Sequence, residues 1–272
     1  MANRILCSTG AVIGRPNGRD FRLLKDCVRE LKCDGFEFMM YESWYGREAE
    51  ILELLKSLPT EFPTFHVEKS VGNLISRNEG DDAEQAFEYF KTNCLLASAL
   101  GSDKLVLHLW GGLASDRDID FNFACYDRLR DISDGFGLEL TVENVVCNCK
   151  DPMSHLLTLA KMKSDARFTF DTKMAAFHSQ LDELYSEENR WLIPQIRHMH
   201  INDYSGGHMD WSNLKTLHVG DGHIDFGTLF AFLRSVGYDG DFTVEATSFG
   251  SDGVIDFDAL NRTFERIREY LK

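Results

Sequence analysis

The stretch IRHMHINDY (Ile196–Tyr204), followed after a polar loop by LHVGDGHIDF (Leu217–Phe226) and DFTVEATSF (Asp241–Phe249), decides how this chain is interpreted. It contains two short apolar segments, and each ends in residues that bind metals or move protons. The first segment, Ile196–Ile201, offers His198, His200 and the nearby Asp203, although no role can be assigned to His198 from the sequence. The second, Phe242–Val244, is followed by Glu245. A polar residue at the end of a buried strand is exposed at the edge of the sheet. A recurrence of this pattern would therefore gather several such residues at one edge.

The same alternation of short apolar segments and amphipathic helices runs through the whole chain. Glu48–Leu58, for example, has apolar residues at helical spacing, whereas Arg167–Asp171 is a short apolar run. The predicted strands are Ile5–Ser8, Gly35–Met39, Phe62–Val67, Lys104–Leu109, Leu138–Glu143, Arg167–Asp171, Ile196–Asn202 and Phe242–Glu245. The predicted helices are Asp20–Leu31, Glu48–Leu58, Asp81 or Asp82 to Leu100, Phe121–Phe136, Pro152–Lys163, Met174–Tyr185, Phe226–Gly237 and Phe257–Leu271.

Strands that alternate with helices predict βαβ units and a parallel sheet. Eight such units predict an α/β fold of the (β/α)8 TIM barrel type, which takes about 250 residues. Because no proline- or serine-rich linker interrupts the chain, we expect a single domain over residues 1–272. The alternative is an open, doubly wound sheet. That fold would need a glycine-rich phosphate turn after the first strand, and Gly10–Gly14 does not supply one. Residues 72–80, rich in glycine and asparagine, are predicted to form a loop.

Charge and composition restrict the partners and the compartment. The formal net charge is −15, with 44 acidic and 29 basic residues, so nucleic acid and anionic membranes are poor candidates for partners. No window approaches the ~20 apolar residues of a membrane span. Seven cysteines at irregular spacings indicate free thiols in a reducing compartment. We therefore expect a soluble, cytoplasmic protein; association into a homo-oligomer is left open.

Seven consecutive predicted strands carry His, Asp or Glu at or near their ends. In TIM barrels such residues meet at the carboxyl-terminal rim, where active sites lie. Burying several carboxylates together is costly unless cations compensate them, which predicts a divalent metal. Carboxylates with imidazoles suit Mn²⁺, Zn²⁺, Co²⁺ or Fe²⁺. The residues are Glu37, His66, His108, Glu143, Asp171, His200 and Glu245.

Five stretches carry a resemblance to a known superfamily: TVENVV at 141–146, FTFDT at 168–172, MHIND at 199–203, HVGDGHIDF at 218–226 and TVEATSF at 243–249. In order and spacing they resemble the xylose isomerase-like barrels, which include sugar epimerases, inosose isomerase, hydroxypyruvate isomerase and endonuclease IV. The resemblance covers nearly the whole chain. It implies that one divalent metal is shared by Glu143, Asp171, His200 and Glu245. Mn²⁺ is our first expectation, with Zn²⁺, Co²⁺, Mg²⁺ and Fe²⁺ as alternatives.

Departures from the nuclease pattern argue against DNA repair. Met174 stands where endonuclease IV has a histidine three residues after the strand-six aspartate, and no Asp-x-His pair lies between Tyr204 and His218. The ligand pattern for the third metal of the nuclease is therefore not present in this sequence. His66 and His108 match positions that help to hold another of its metals, so a second metal stays open. In sugar-acting relatives such histidines more often face the substrate, which is the role we favour.

The resemblance implies a metal-dependent isomerase or epimerase of a small sugar, keto-sugar or cyclitol. Glu143 and Glu245 match the glutamates that remove and return a proton through a metal-stabilised enediolate. The alternative is a lyase or dehydratase with the same chemistry, such as inosose dehydration or cleavage of a 3-keto C-glycoside; an abasic-site nuclease and a non-catalytic sugar-binding barrel are weaker alternatives. Asp203 could orient His200 or Lys173 without contacting the metal or the substrate itself. The predicted substrate contacts are Glu37, His66, His108, Trp110, Lys173 and His218.

Overall fold

The computed structural model describes residues 3–272, and within them eight parallel strands form one closed barrel in the order β1 to β8. This confirms the predicted (β/α)8 architecture and excludes the open sheet. The strands are β1 Ile5–Ser8, β2 Gly35–Met39, β3 Thr64–His66, β4 Lys104–Leu107, β5 Glu139–Glu143, β6 Arg167–Asp171, β7 Ile196–His200 and β8 Asp241–Val244. The α-helices are α1 Leu24–Glu30, α2 Glu48–Ser57, α3 Ser70–Arg77, α4 Asp82–Leu100, α5 Ile119–Gly135, α6 Pro152–Met162, α7 Thr172–Phe177, α8 Phe226–Ser235 and α9 Phe257–Leu271.

The described residues divide into two compact units. The first comprises the residues up to Glu37, Ser57–Glu61 and the chain from Phe170 onward; the second comprises Phe38–Lys56 and Phe62–Thr169. In the first unit β1 pairs with β2 and β8, and β7 pairs with β8. In the second, β3, β4, β5 and β6 pair in succession. The single domain over residues 1–272 stays a prediction.

Helix boundaries follow local capping chemistry. The Asp151 side chain accepts a hydrogen bond of 2.7 Å from the Ser154 amide, and Pro152 opens α6, where its missing N–H costs nothing. α4 ends at Gly101, whose φ of +79° closes the helix in the left-handed region. Both boundaries agree with the sequence prediction.

Several predicted strand and helix ends are displaced by one to four residues, and two segments differ more substantially. Residues 70–77 form a helix, α3, where a loop was expected. The reason for Gly72 is close packing, because a Cβ there would lie 2.1 Å from the carbonyl oxygen of His108. α7 ends at Phe177 rather than near Tyr185, and Ser179 has a φ of +54° just beyond it. A glycine within a predicted loop can therefore mark a helix that approaches another backbone closely.

The strands carry a polar inner layer between apolar residues. Phe168 and Phe170 of β6 are fully buried, and so are Thr169 and Asp171 between and after them. Successive side chains of a strand point to opposite faces, so the two polar residues share one face. Thr169 lies 2.7 Å, Oγ1 to Oγ1, from Thr141 of β5. This polar layer is where the candidate site lies.

Within residues 3–272, no helix is both long and apolar enough to cross a membrane. The seven cysteines all lie in this part of the chain and are free thiols, as predicted.

Candidate functional site

Three of the predicted metal ligands meet in the first unit. Asp171 ends β6, His200 ends β7 and Glu245 directly follows β8. Nδ1 of His200 lies 3.3 Å from Oε2 of Glu245 and 3.8 Å from Oδ2 of Asp171. Asp171 and His200 are fully buried, whereas the Glu245 side chain is 12% exposed. One carboxylate of the group is therefore open to solvent and to a ligand.

Glu37 lies behind His200 rather than at the rim. Its Oε2 accepts hydrogen bonds from Nε2 of His198 at 2.9 Å, from Nε2 of His200 at 3.2 Å and from Oγ1 of Thr243 at 3.1 Å. Burial would raise the pKa of Glu37, but His200 and His198 lower that pKa well below its usual range. The side chain is 0% exposed, which leaves the predicted contact with substrate hydroxyls without support. His198, which the sequence could not place, belongs to this buried group.

The protonation of His200 follows from these contacts. Its Nε2–H is the donor to Glu37, so a neutral ring has its lone pair on Nδ1. That lone pair faces carboxylate oxygens of Asp171 and Glu245, which is unfavourable unless a proton or a metal cation stands between them. Two carboxylates and an imidazole nitrogen are suitable donors for Mn²⁺, Zn²⁺, Co²⁺ or Fe²⁺. These residues therefore fit a divalent metal ion.

Asn202 ties the two carboxylates together, and the sequence analysis missed it. Its Nδ2 donates to Oδ2 of Asp171 at 2.9 Å and to Oε2 of Glu245 at 3.2 Å. Its Oδ1 accepts from the Glu245 backbone N–H at 2.9 Å. A signal was available, because Asn202 lies two residues after His200 and alternate strand residues share a face. The amide fixes the spacing of both carboxylates.

Asp203 anchors the glycine motif instead of orienting His200. One carboxylate oxygen accepts from the amides of Gly220 and Gly222, each at 2.9 Å, and the other from the amides of Tyr204 and Ile224 at 2.8 and 3.1 Å. A Cβ at Gly222 would lie 2.4 Å from Oδ1 of Asp203 and 2.3 Å from the Tyr204 carbonyl oxygen. Only glycine lets the chain pass so close to this carboxylate.

Glu143, the remaining predicted ligand, lies with two histidines in the second unit. Its Oε2 is 2.8 Å from Nε2 of His108 and 3.4 Å from Nε2 of His66. Nδ1 of His66 is 2.8 Å from the Val67 carbonyl oxygen and donates to it. Burial lowers the pKa of His108 to about 4, although Glu143 acts in the opposite direction. His108 is therefore neutral near pH 7, and the three side chains are close enough together to hold a cation.

A buried carboxylate holds the segment that follows Glu143. Asp116 accepts hydrogen bonds from the amides of Asn148, Cys149 and Lys150 at 2.8 to 2.9 Å and from Nε2 of His155 at 2.9 Å. Burial would raise the pKa of Asp116, but His155 and the three amides lower that pKa well below its usual range. No sequence pattern indicated this group of hydrogen bonds, because its members lie up to 39 residues apart.

Two further predicted substrate contacts, Trp110 and His218, make hydrogen bonds within the protein. Trp110 is fully buried, and its Nε1 donates to the Val145 carbonyl oxygen at 3.2 Å. Nδ1 of His218 is 2.9 Å from Oγ1 of Thr263 on α9, and its Nε2 is 3.3 Å from Oγ of Ser248. These two side chains are thus engaged by the protein itself.

Lys173 has a setting that suits a ligand better. It is only 7% exposed, and its Nζ donates to Oγ1 of Thr216 at 2.9 Å. In the described part of the chain, no carboxylate lies within 4.0 Å of this ammonium group. A nearly buried charge with one neutral partner has donors left for substrate oxygens. His178, five residues further along the chain, is 4% exposed and therefore buried.

Solved structures share this fold at low sequence identity. A D-tagatose 3-epimerase-like protein has 20% identity and a TM-score of 0.72, with 98% of this chain and 97% of that chain covered. The D-allulose 3-epimerase of Methylomonas sp. has 18% identity and a TM-score of 0.71 over 100% of both chains. An IolI protein with a binding zinc atom has 13% identity and a TM-score of 0.73 over 98% of both chains.

At these identities the likeness shows the fold. A comparison with curated protein sequences finds no significant match. The family model described as "Xylose isomerase-like TIM barrel" matches residues 26–270, which is most of the chain. With the closed barrel and the strand-end residues in place, this match establishes that the chain belongs to the xylose isomerase-like TIM barrel family.

Proposed function

We propose that this protein is a divalent-metal-dependent isomerase or epimerase of a small sugar, keto-sugar or cyclitol. The observation that carries the proposal is the cluster of Asp171, His200 and Glu245, in which a histidine lone pair faces two carboxylates. Solved structures with the same fold include a D-allulose 3-epimerase and an L-ribulose 3-epimerase, which supports the choice of reaction class.

Glu143 completes the proposed metal site. It ends β5, and TIM barrels build their active sites from carboxyl-terminal strand ends. The TVENVV stretch around it supports the same role, because it resembles the ligand motif of this family. The zinc atom of the IolI protein supports a divalent ion in general. Mn²⁺ remains our first expectation, with Zn²⁺, Co²⁺, Mg²⁺ and Fe²⁺ as alternatives; when bound, the ion would polarise the substrate carbonyl.

The chain's own glutamates would move the proton. One of Glu143 and Glu245 takes the proton from the carbon next to the carbonyl, and the other returns it. Return to the opposite face of the same carbon gives an epimer. Return to the neighbouring carbon interconverts an aldose and a ketose. The partial exposure of Glu245 supports this role, because a base must reach the substrate.

Substrate contacts are proposed for His66, His108 and Lys173. The first two adjoin Glu143, and the third offers a nearly buried ammonium group. A second cation held by His66, His108 and Glu143 is the competing role for the two histidines. The cytoplasmic location stays a prediction from the sequence. So does the expectation that the protein binds neither nucleic acid nor membranes. Association into a homo-oligomer stays open.

An activity screen tests the proposal directly. Purified protein is incubated with keto-sugars and inososes in the presence of Mn²⁺, Co²⁺ or Zn²⁺. The products are separated by chromatography, and their masses are measured by mass spectrometry. We expect a product of unchanged mass. Loss of water or of an aglycone would instead assign a dehydratase or lyase.

Two variants then test the acid and base. Glu143→Gln and Glu245→Gln should each abolish turnover while circular dichroism shows an intact fold. Glu53→Gln, at an exposed position on α2, is the control and should keep full activity. Full activity of Glu143→Gln would contradict its catalytic assignment.

A further inference from the structure

We infer that Glu37 is a positioning residue that holds His200 in the tautomer needed to bind the metal. The inference rests on the proposed metal-dependent function and explains a carboxylate that the substrate cannot reach. Glu37 is 0% exposed, and its Oε2 lies 3.2 Å from Nε2 of His200. The two ring nitrogens of His200 therefore face different partners, with Glu37 on one side and the carboxylates of Asp171 and Glu245 on the other.

This division of partners decides which nitrogen is free to bind a cation. If Nε2 carries the proton and donates it to Glu37, Nδ1 has the lone pair and points at the site. The other tautomer would set the Nε2 lone pair against a buried carboxylate and direct a proton into the metal position. A carboxylate behind a ligating histidine also makes the nitrogen a stronger donor. Glu37 thus acts on the metal through His200.

Glu37 is itself fixed from two further directions. Oε2 also accepts from Nε2 of His198 at 2.9 Å and from Oγ1 of Thr243 at 3.1 Å. His198 and His200 alternate along β7 and so share a face, while Thr243 of β8 is the register partner of His200. β2 and β8 both pair with β1, which places Glu37 in the same small set of strands. The contacts on the Nε2 side of His200 are therefore set by the registers of neighbouring strands.

Metal binding by the apoprotein tests the inference without any substrate. Mn²⁺ and Zn²⁺ are titrated calorimetrically into metal-stripped wild type, Glu37→Gln and Thr243→Val, and the melting temperature of each apoprotein is recorded. Glu37→Gln should weaken metal affinity by about 10- to 100-fold. Thr243→Val removes a donor to the same oxygen but keeps the contact between Glu37 and His200, so its affinity should change by less than about threefold.

The outcomes separate this inference from the proposed function. Wild-type affinity in a folded Glu37→Gln protein would overturn the inference, and so would equal losses in both variants, which would indicate general disturbance of the core. A wild type that binds neither ion would overturn the proposed metal site itself. If Glu37→Gln does not fold, Glu37→Asp serves instead, because it keeps the charge but withdraws it from His200. The Co²⁺ absorption spectrum should then change in intensity or position, and an unchanged spectrum with unchanged affinity would overturn the inference.

Discussion

The side-chain amide of Asn202 donates a hydrogen bond of 2.9 Å to Oδ2 of Asp171. The same Nδ2 reaches Oε2 of Glu245, and Oδ1 accepts from the Glu245 backbone. One amide thus donates to two carboxylates that repel each other, and it fixes the distance between them. Its contribution is geometric, since an amide adds no charge to the site.

Removal of this amide should therefore weaken catalysis without unfolding the protein. Asn202→Ala is expected to lower kcat/KM by about 10- to 100-fold, the usual cost of losing a group that orients metal ligands. Asn213→Ala is the control, because that amide makes a similar bond of 2.7 Å to Asp210 in an exposed loop. Steady-state kinetics of both variants provide the measurement, and equal effects would contradict the assigned role.

Lys173 should contribute to substrate binding more than to turnover. Its ammonium group is nearly buried and has one neutral partner, Thr216, so substrate oxygens can take the remaining donors. Lys173→Met should raise KM at least tenfold and change kcat by less than about threefold, as expected for a binding contact. Thr216→Val, which leaves the ammonium in place, should have a smaller effect. An unchanged KM for Lys173→Met would reduce Lys173 to a packing residue.

Gly222→Ala should destabilise the protein by about 1–3 kcal/mol, the usual cost of overpacking. The new methyl group would meet the Tyr204 carbonyl oxygen at 2.3 Å and Oδ1 of Asp203 at 2.4 Å. Gly207→Ala is the matched control in the preceding loop, because a Cβ there meets nothing within 4 Å. Thermal melting should show a drop of several degrees for the first variant and almost none for the second.

Stability near Asp116 should depend on pH in a defined direction. The folded pKa of Asp116 is lowered, so its contribution is fully present above the unfolded pKa of about 3.9 and is lost as pH falls below that value. Asp116→Asn should cost on the order of 3 kcal/mol at pH 7, through loss of charge-assisted hydrogen bonds. The difference in melting temperature from wild type should shrink between pH 5 and pH 2. Asp134→Asn, at an exposed position, should show no such trend.

Metal removal should lower both activity and thermal stability. A ligand that binds only the folded state stabilises it by about 2.7 kcal/mol at a concentration 100 times Kd. Dialysis against a chelator should therefore lower Tm, and added Mn²⁺ or Zn²⁺ should restore it. Replacement of His200 by Ala should abolish this response. A Tm that changes neither on chelation nor on addition of metal would contradict the proposed site.

The alternation of strands and helices made the barrel predictable, because hydrophobic spacing records local structure directly. β6 and β7 appear at the predicted positions, and their ends bring Asp171 and His200 together. α3 was missed because Gly72 and Asn73 resemble a loop when read in isolation. Its glycine is explained only by the backbone of His108, which is 36 positions away in sequence.

The same reasoning explains why the contacts of Glu37 and Asp203 could not be predicted. A strand pattern shows that Glu37 lies on a buried element, but the residues that face it come from β7 and β8. The register of these strands decides that Glu37 contacts His198 and Thr243. Asp203 was taken for a partner of His200, yet its four hydrogen-bond donors are all backbone amides of the following loop. Side-chain roles that depend on contacts between distant elements become visible only in the folded structure.

The carboxylate of Asp203 fixes the two ends of a loop, so that changes within the loop need not disturb the barrel. It accepts hydrogen bonds from the Tyr204 amide at one end and from the amides of Gly220, Gly222 and Ile224 at the other, and so fixes both ends of the loop over residues 205–219. Lengthening a closed loop is cheap, at about 0.6 kcal/mol for each doubling. A change in the length of this loop away from Thr216, the partner of Lys173, would therefore leave Asn202 and His200 in place. Under the proposed function, substrate preference could then be altered in this loop without moving the proposed metal ligands.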